Sequence, residues 1–164
     1  MERELNMKNH ESELPDIAKA LGPVFRNVEP GDRAVLLAAL ERLAARRYRI
    51  WASEHPDPQV QAGLLACADR EEEIARRAES LYPNAAASQE RLLSANPELL
   101  ELSRTLFEGR PLKDQFTMQA EGELAGAAAW RANAAAAADS EARDLLISCS
   151  QLEEANAAFL QSLS

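Results

Sequence analysis

The chain matches itself at a fixed offset. When residues 38–81 are laid over 120–163, a shift of 82 aligns them without a gap, and thirteen of 44 positions carry the same residue. Alanine pairs such as Ala45/Ala127 count for little in an alanine-rich chain. Glu41/Glu123, Arg49/Arg131, Asp57/Asp139, Cys67/Cys149, Glu71/Glu153 and Glu72/Glu154 count for more. A segment of this length that recurs is one supersecondary element used twice. Any fold for this chain must therefore accommodate two equivalent units.

Composition says what those units are made of. Apolar residues make up 46 % of the 164, but aromatics only 5 %, and there are six glycines. Ala, Leu, Glu and Arg dominate, a mixture that suits helices, and the length fits one domain over 1–164. A net charge of −9 argues against nucleic acid or an anionic membrane surface as partner. The densest basic cluster, Arg42, Arg46, Arg47 and Arg49, reads as a solvated helix face. No apolar run approaches the roughly 20 residues of a membrane span. The charged opening MERELNMKNHESELPD does not read as a signal peptide, so the two cysteines are expected as reduced thiols and the cytoplasm as the location.

Punctuation along the chain divides it. Residues 1–30 read as a polar leader and an accessory helix, Leu14 to Leu21, stopped by Gly22-Pro23. A first hairpin over 31–82 begins with Asp32 as N-cap and runs through Val35, Leu36, Leu40, Leu43, Ala44, Ile50 and Trp51 at helical spacing. His55-Pro56-Asp57-Pro58 is its turn, and its second helix reaches about Tyr82. A crossover over 83–112 carries one capped helix behind Asn96-Pro97. The second hairpin, 113–164, turns at Asp139 and contains a very small profile, Ala125, Gly126, Ala128 and Ala129. That profile is expected to serve close helix packing, with a cavity or groove as the alternative.

Four glutamates stand out. Residues equidistant from a hairpin turn lie at one height. Glu41 and Glu71 have residue 56 as midpoint, Glu123 and Glu153 residue 138. Each hairpin thus carries a level pair of carboxylates, about 22 Å from its turn at 1.5 Å per residue. Glu71 sits in the stripe Leu64, Cys67, Ala68, Ile74, Ala75, and Glu153 in Leu146, Cys149, Asn156, Ala157, Leu160, so both are expected to face the core. Buried together, the carboxyl groups need protons, a metal, or an arginine such as Arg76 or Arg46. Cys67 and Cys149 are expected as buried structural thiols, displaced in opposite directions from the glutamate level and too far apart for a disulfide.

A Glu followed seven residues later by an aromatic (Glu41 and Tyr48, Glu123 and Trp130), then a Glu on the next helix, all repeated after a long crossover, resembles the ferritin-like superfamily, rubrerythrin most closely. The segments Glu41-Arg-Leu-Ala-Ala-Arg-Arg-Tyr48 and Ala68-Asp-Arg-Glu71-Glu-Glu-Ile74-Ala75 carry the likeness. The resemblance implies an all-α four-helix bundle with internal two-fold duplication, self-association as a dimer, and an iron or manganese pair held by two Glu and two Glu-x-x-His motifs. Here Ile74 and Asn156 stand where those histidines would be, and His10 and His55 lie in the leader and a turn. The expectation is therefore a degenerate, non-catalytic binding or structural module without cofactor. The alternative is an oxidoreductase or iron-binding protein with a carboxylate-only metal site at Glu41, Glu71, Glu123 and Glu153, with Asn156.

Overall fold

The computed structural model describes residues 14–163, and those residues are all-α, with no strand among them. Seven helices follow in order: α1 (Ile17–Asn27), α2 (Arg33–Glu54), α3 (Pro58–Glu79), α4 (Ala85–Ala95), α5 (Glu98–Phe107), α6 (Leu112–Ala136) and α7 (Ser140–Ser162). No described helix is long and apolar enough to cross a membrane. The four long helices pack as α2 on α3, α6 on α7, and α3 on α7.

Local chemistry explains the boundaries. The carboxylates of Asp57 and Asp139 cap the N-termini of α3 and α7, accepting from the backbone N–H of Gln59 at 2.8 Å and of Ala142 at 2.8 Å. Each satisfies a donor that a helix start leaves open. At the end of α3, Leu81 and Tyr82 donate to carbonyls three residues back, so the last turn tightens and the helix closes at Glu79 rather than Tyr82.

Four sequence expectations need correction. First, α1 does not stop at Gly22-Pro23 but runs through both to Asn27. Pro23 and Lys19, whose carbonyl it leaves without its helix donor, are both exposed residues. The apolar stripe meanwhile continues through Leu21, Val24 and Phe25 into a cluster with Val35, Leu36, Leu92 and Leu99. Burying that stripe outweighs one missing helix bond. Second, Asp32 makes no cap bond; Pro30–Asp32 form a single 3-10 turn, and the Asp32 carboxylate pairs with Arg91 at 2.9 Å. Third, the crossover holds two helices. α4 precedes the expected helix, α5, and is tied to the bundle by buried Leu92 and by Gln89, which bridges Glu79 and the Val35 carbonyl. Fourth, Ile50 points outward at 55 % exposure.

The backbones of α3 and α7 approach closely, and Gly63 makes this possible: a Cβ there would lie 2.1 Å from the Phe159 ring. The backbones of α2 and α6 stand farther apart and meet through long side chains. Trp51 donates to Gln115 at 2.9 Å and packs edge-on against Phe116.

Outer ion pairs follow the sequence match. Arg49 pairs with Glu72 and Arg131 with Glu154, equivalents at offset 82. Arg42 spans Glu72 and Glu79, so much of the basic cluster is answered by neighbouring acids.

Candidate functional site

All four predicted glutamates are brought together. Glu41, Glu71, Glu123 and Glu153, from α2, α3, α6 and α7, are 7 %, 0 %, 2 % and 1 % exposed. Oxygens of Glu41, Glu71 and Glu153 lie within 4.8 Å of one another. Glu123 is within hydrogen-bonding reach of Glu71 and Glu153.

Each carboxylate has one oxygen held by a protein donor. The Trp130 indole N–H is shared between Glu41 Oε1 at 3.2 Å and Glu153 Oε1 at 3.0 Å. The Tyr48 hydroxyl donates to Glu123 Oε1 at 2.6 Å, and Gln119 Nε2 to the same oxygen at 2.7 Å. Asn156 Nδ2 donates to Glu71 Oε1 at 2.6 Å, while its Oδ1 accepts from Arg70 at 3.1 Å. Tyr48 and Trp130 are equivalent in the sequence match, as are Glu41 and Glu123, so each aromatic bonds the glutamate of the other segment. Two oxygens, Glu71 Oε2 and Glu123 Oε2, are buried and meet no donor among the described residues.

Burial and mutual repulsion set the charge. Desolvation carries Glu41 up to about 7 against an ordinary 4.5, with the charge of Glu123 acting in the same direction. Glu71 and Glu153 are held well above the carboxylate range, first by burial and then by their neighbours' charges. Burial likewise raises the Tyr48 hydroxyl.

Arg76 and Arg46 do not serve the cluster. Arg76 pairs at the surface with Glu73, and Arg46 is exposed. The cation beside the carboxylates is Arg47, whose guanidinium lies 3.9 Å over the Phe107 ring and donates to Gln119 at 2.9 Å and to Ser103. Burial pushes it down to about 10, opposed by the charges of Glu123 and Glu71. Choosing Arg47 among four neighbouring arginines required only its helix phase, since it lies two turns, near 7 × 100°, from Leu40 on the inner face.

A glycine shapes the site. A Cβ on Gly126 would lie 2.6 Å from Glu153 Oε1, so the carboxylate occupies space that any other residue would fill. Gly126, Ala125, Ala129 and Gly122 also wall a cavity of about 550 Å³ between α1, α2, α5 and α6. The small profile of α6 thus borders a cavity and does not serve close packing alone. Leu21, Phe25, Leu40, Leu43 and Leu106 are among its apolar lining, and Glu41, Glu123 and Glu153 stand in its wall together with Arg33 and Arg47.

The cysteines are free, buried and separately engaged, Cys67 near Arg70 and Cys149 near the Ile74 carbonyl. Burial raises both thiols to about 12, which suits structural rather than reactive sulfur. His55 remains in its turn, accepting from the Asp57 N–H, and His10 lies outside the described residues.

These donors bear on metal. Three carboxylate oxygens within 4.8 Å fit one hard, oxygen-liganded cation, because ligands on opposite sides of such an ion lie about 4.6–5.2 Å apart. A two-ion centre with imidazole ligands does not fit: Ile74 is fully buried hydrocarbon, and Asn156 turns its NH₂ toward Glu71. No family model, no characterised protein and no solved structure matches the chain.

Proposed function

We propose that the chain is a ferritin-like four-helix bundle with internal two-fold duplication, acting as a non-catalytic binding module whose central carboxyl groups are held by shared protons and side-chain donors. The supporting observation is the donor set. Trp130, Tyr48, Gln119 and Asn156 each take a carboxylate oxygen that a dimetal centre would use. A protonated Glu71, in reach of Glu123 and Glu41, becomes a donor itself and relieves the unpartnered oxygens.

Metal analysis of protein from cells grown with added iron and manganese tests this reading. The expected content is well below one ion per chain. Two tightly held ions, lost in Glu71→Ala and Glu153→Ala, would establish the oxidoreductase or iron-binding reading instead. The close approach of Glu41, Glu71 and Glu153 favours a second possibility, a single hard cation, whose signature is one ion per chain with no redox activity.

A further inference from the structure

The cavity has a long axis, and its two ends differ. Along α2 its wall reads Arg33, Leu37, Leu40, Ala44 and Arg47, one helical stripe with an arginine at each end. Tyr48 bonds Glu123 and Glu41 bonds Trp130, so α6 runs antiparallel to α2. Arg33 therefore shares its end with Asn133 and Ala136 of α6, and Arg47 shares the other with Gln119. We propose that the cavity binds a fatty carboxylate, with its head on Arg33 and its chain along the leucines of α2. This deepens the binding-module reading and rests on it.

The two arginines are not equivalent. Arg47 donates to Gln119 and Ser103, lies over Phe107, and has the charges of Glu123 and Glu71 beside it. Arg33 is half-buried, and its Nε–H goes to the Val28 carbonyl at 3.2 Å. Among the described residues it makes no ion pair, and its two terminal nitrogens have no acceptor. The adjoining Asp32 carboxylate is taken by Arg91 at 2.9 Å. Glu41, the acid of the α2 wall, is about 12 Å farther along the axis at 1.5 Å per residue. A guanidinium whose paired terminal N–H groups are open matches the two oxygens of a carboxylate. An ammonium would set charge against like charge there, and a hydroxyl would answer neither the charge nor the fork.

Size and lining suit the chain. At roughly 30 Å³ for each water-sized heavy atom, about 550 Å³ accommodates some 18 atoms, inside the range of small-molecule sites. From Arg33 to Leu43 the wall extends about 15 Å along α2. Leu21 and Phe25 of α1 and Leu106 of α5 add apolar contact, and Ala125 and Ala129 leave room on the α6 side. Below about 7 Glu41 retains its proton, as does Glu153, so the acids the chain passes carry little charge.

The test uses the full chain, with its metal content measured, titrated by calorimetry at pH 6.5 below micelle-forming concentrations with dodecanoate, dodecanol and dodecylammonium. Dodecanoate is expected to bind one to one, at least about tenfold more tightly than either other ligand, as a charge-assisted pair implies. Arg33→Gln is expected to remove that advantage while leaving dodecanol binding unchanged, and Ala129→Leu, which fills the cavity, to weaken dodecanoate and dodecanol alike. Equal or tighter binding of dodecanol or dodecylammonium overturns the head assignment, as does an unchanged dodecanoate affinity in Arg33→Gln. Absence of saturable binding, or unchanged binding to Ala129→Leu, overturns the cavity as the site. The wild-type ranking decides the head group even where a variant fails to fold. Two tightly held metal ions in the same sample would overturn the binding-module reading separately from that ranking.

Discussion

Glu71 is fully buried, has one donor on Oε1 and none on Oε2, and faces two other acids. Glutamine at this position keeps the shape, removes a potential charge and supplies N–H donors toward Glu123 or Glu41. Glu71→Gln is therefore expected to raise the melting temperature at pH 8 by about 2–6 °C, the equivalent of ~1–2 kcal/mol in a chain of this length. A lower melting temperature would show that the carboxylate itself is needed. Gly126→Ala should do the reverse. Its new Cβ meets Glu153 Oε1, so the carboxylate must leave the Trp130 N–H, at a cost of about 1–3 kcal/mol in urea unfolding and with a changed Trp emission. Unchanged emission would mean that Glu153 has another place to go. The four acids themselves were legible, since turn midpoints and apolar stripes both pointed to them. Their partners were not. Trp130 reaches Glu41 across 89 positions, and nothing local to either residue announces that bond.

Among the helices, capping signals were easy to read and tertiary rescue was not. Asp57 and Asp139 advertise α3 and α7 through a short side chain bonding its own downstream backbone. Replacing either by Ala is expected to cost about 1 kcal/mol, measured by urea denaturation, and much smaller losses would show that water replaces the cap. Asp32 looks the same in sequence, yet Arg91, 59 positions away, takes its carboxylate. The glycine and proline in α1 signalled a stop, and only the buried stripe beyond them, packed on α2, α4 and α5, overrides it. Gly63 carried no sequence signal because its reason is Phe159 on another helix. Gly63→Ala should force α3 and α7 apart and lower stability by roughly 1–3 kcal/mol.

For the molecule as a whole, the carboxyl cluster sets the dependence on pH. Folded Glu41, Glu71 and Glu153 retain protons that the unfolded chain gives up near 4.5. Their contribution is fully present below that pH and is lost as pH rises through their folded values, about 7 for Glu41 and well above the ordinary carboxylate range for the other two. Glu73 and Glu79 act oppositely. Arg76 holds Glu73 down to about 2, and Arg42 lowers Glu79, so their contribution is lost as pH falls below 4.5. Melting temperature is expected to peak on the acidic side of neutrality and fall toward pH 8.5. A cation-filled cluster would show the opposite trend, since protons compete with metal for the same oxygens. The match at offset 82 and the four long helices made the helical class readable. The small profile of α6 offered the cavity only as an alternative to close packing, because its other walls come from α1, α2 and α5, distant in sequence.

The crossed bonds of Tyr48 to Glu123 and Trp130 to Glu41 have the form of an isologous contact, in which residue i of one subunit meets j of the other and j meets i. The crossover then works as a tether between two halves that already recognise each other. Severing it between Ala95 and Pro97 leaves both bonds intact, so the two pieces, produced together, should copurify as a one-to-one complex. Pieces that stay apart would show that the tether, rather than this mutual recognition, holds the halves in register.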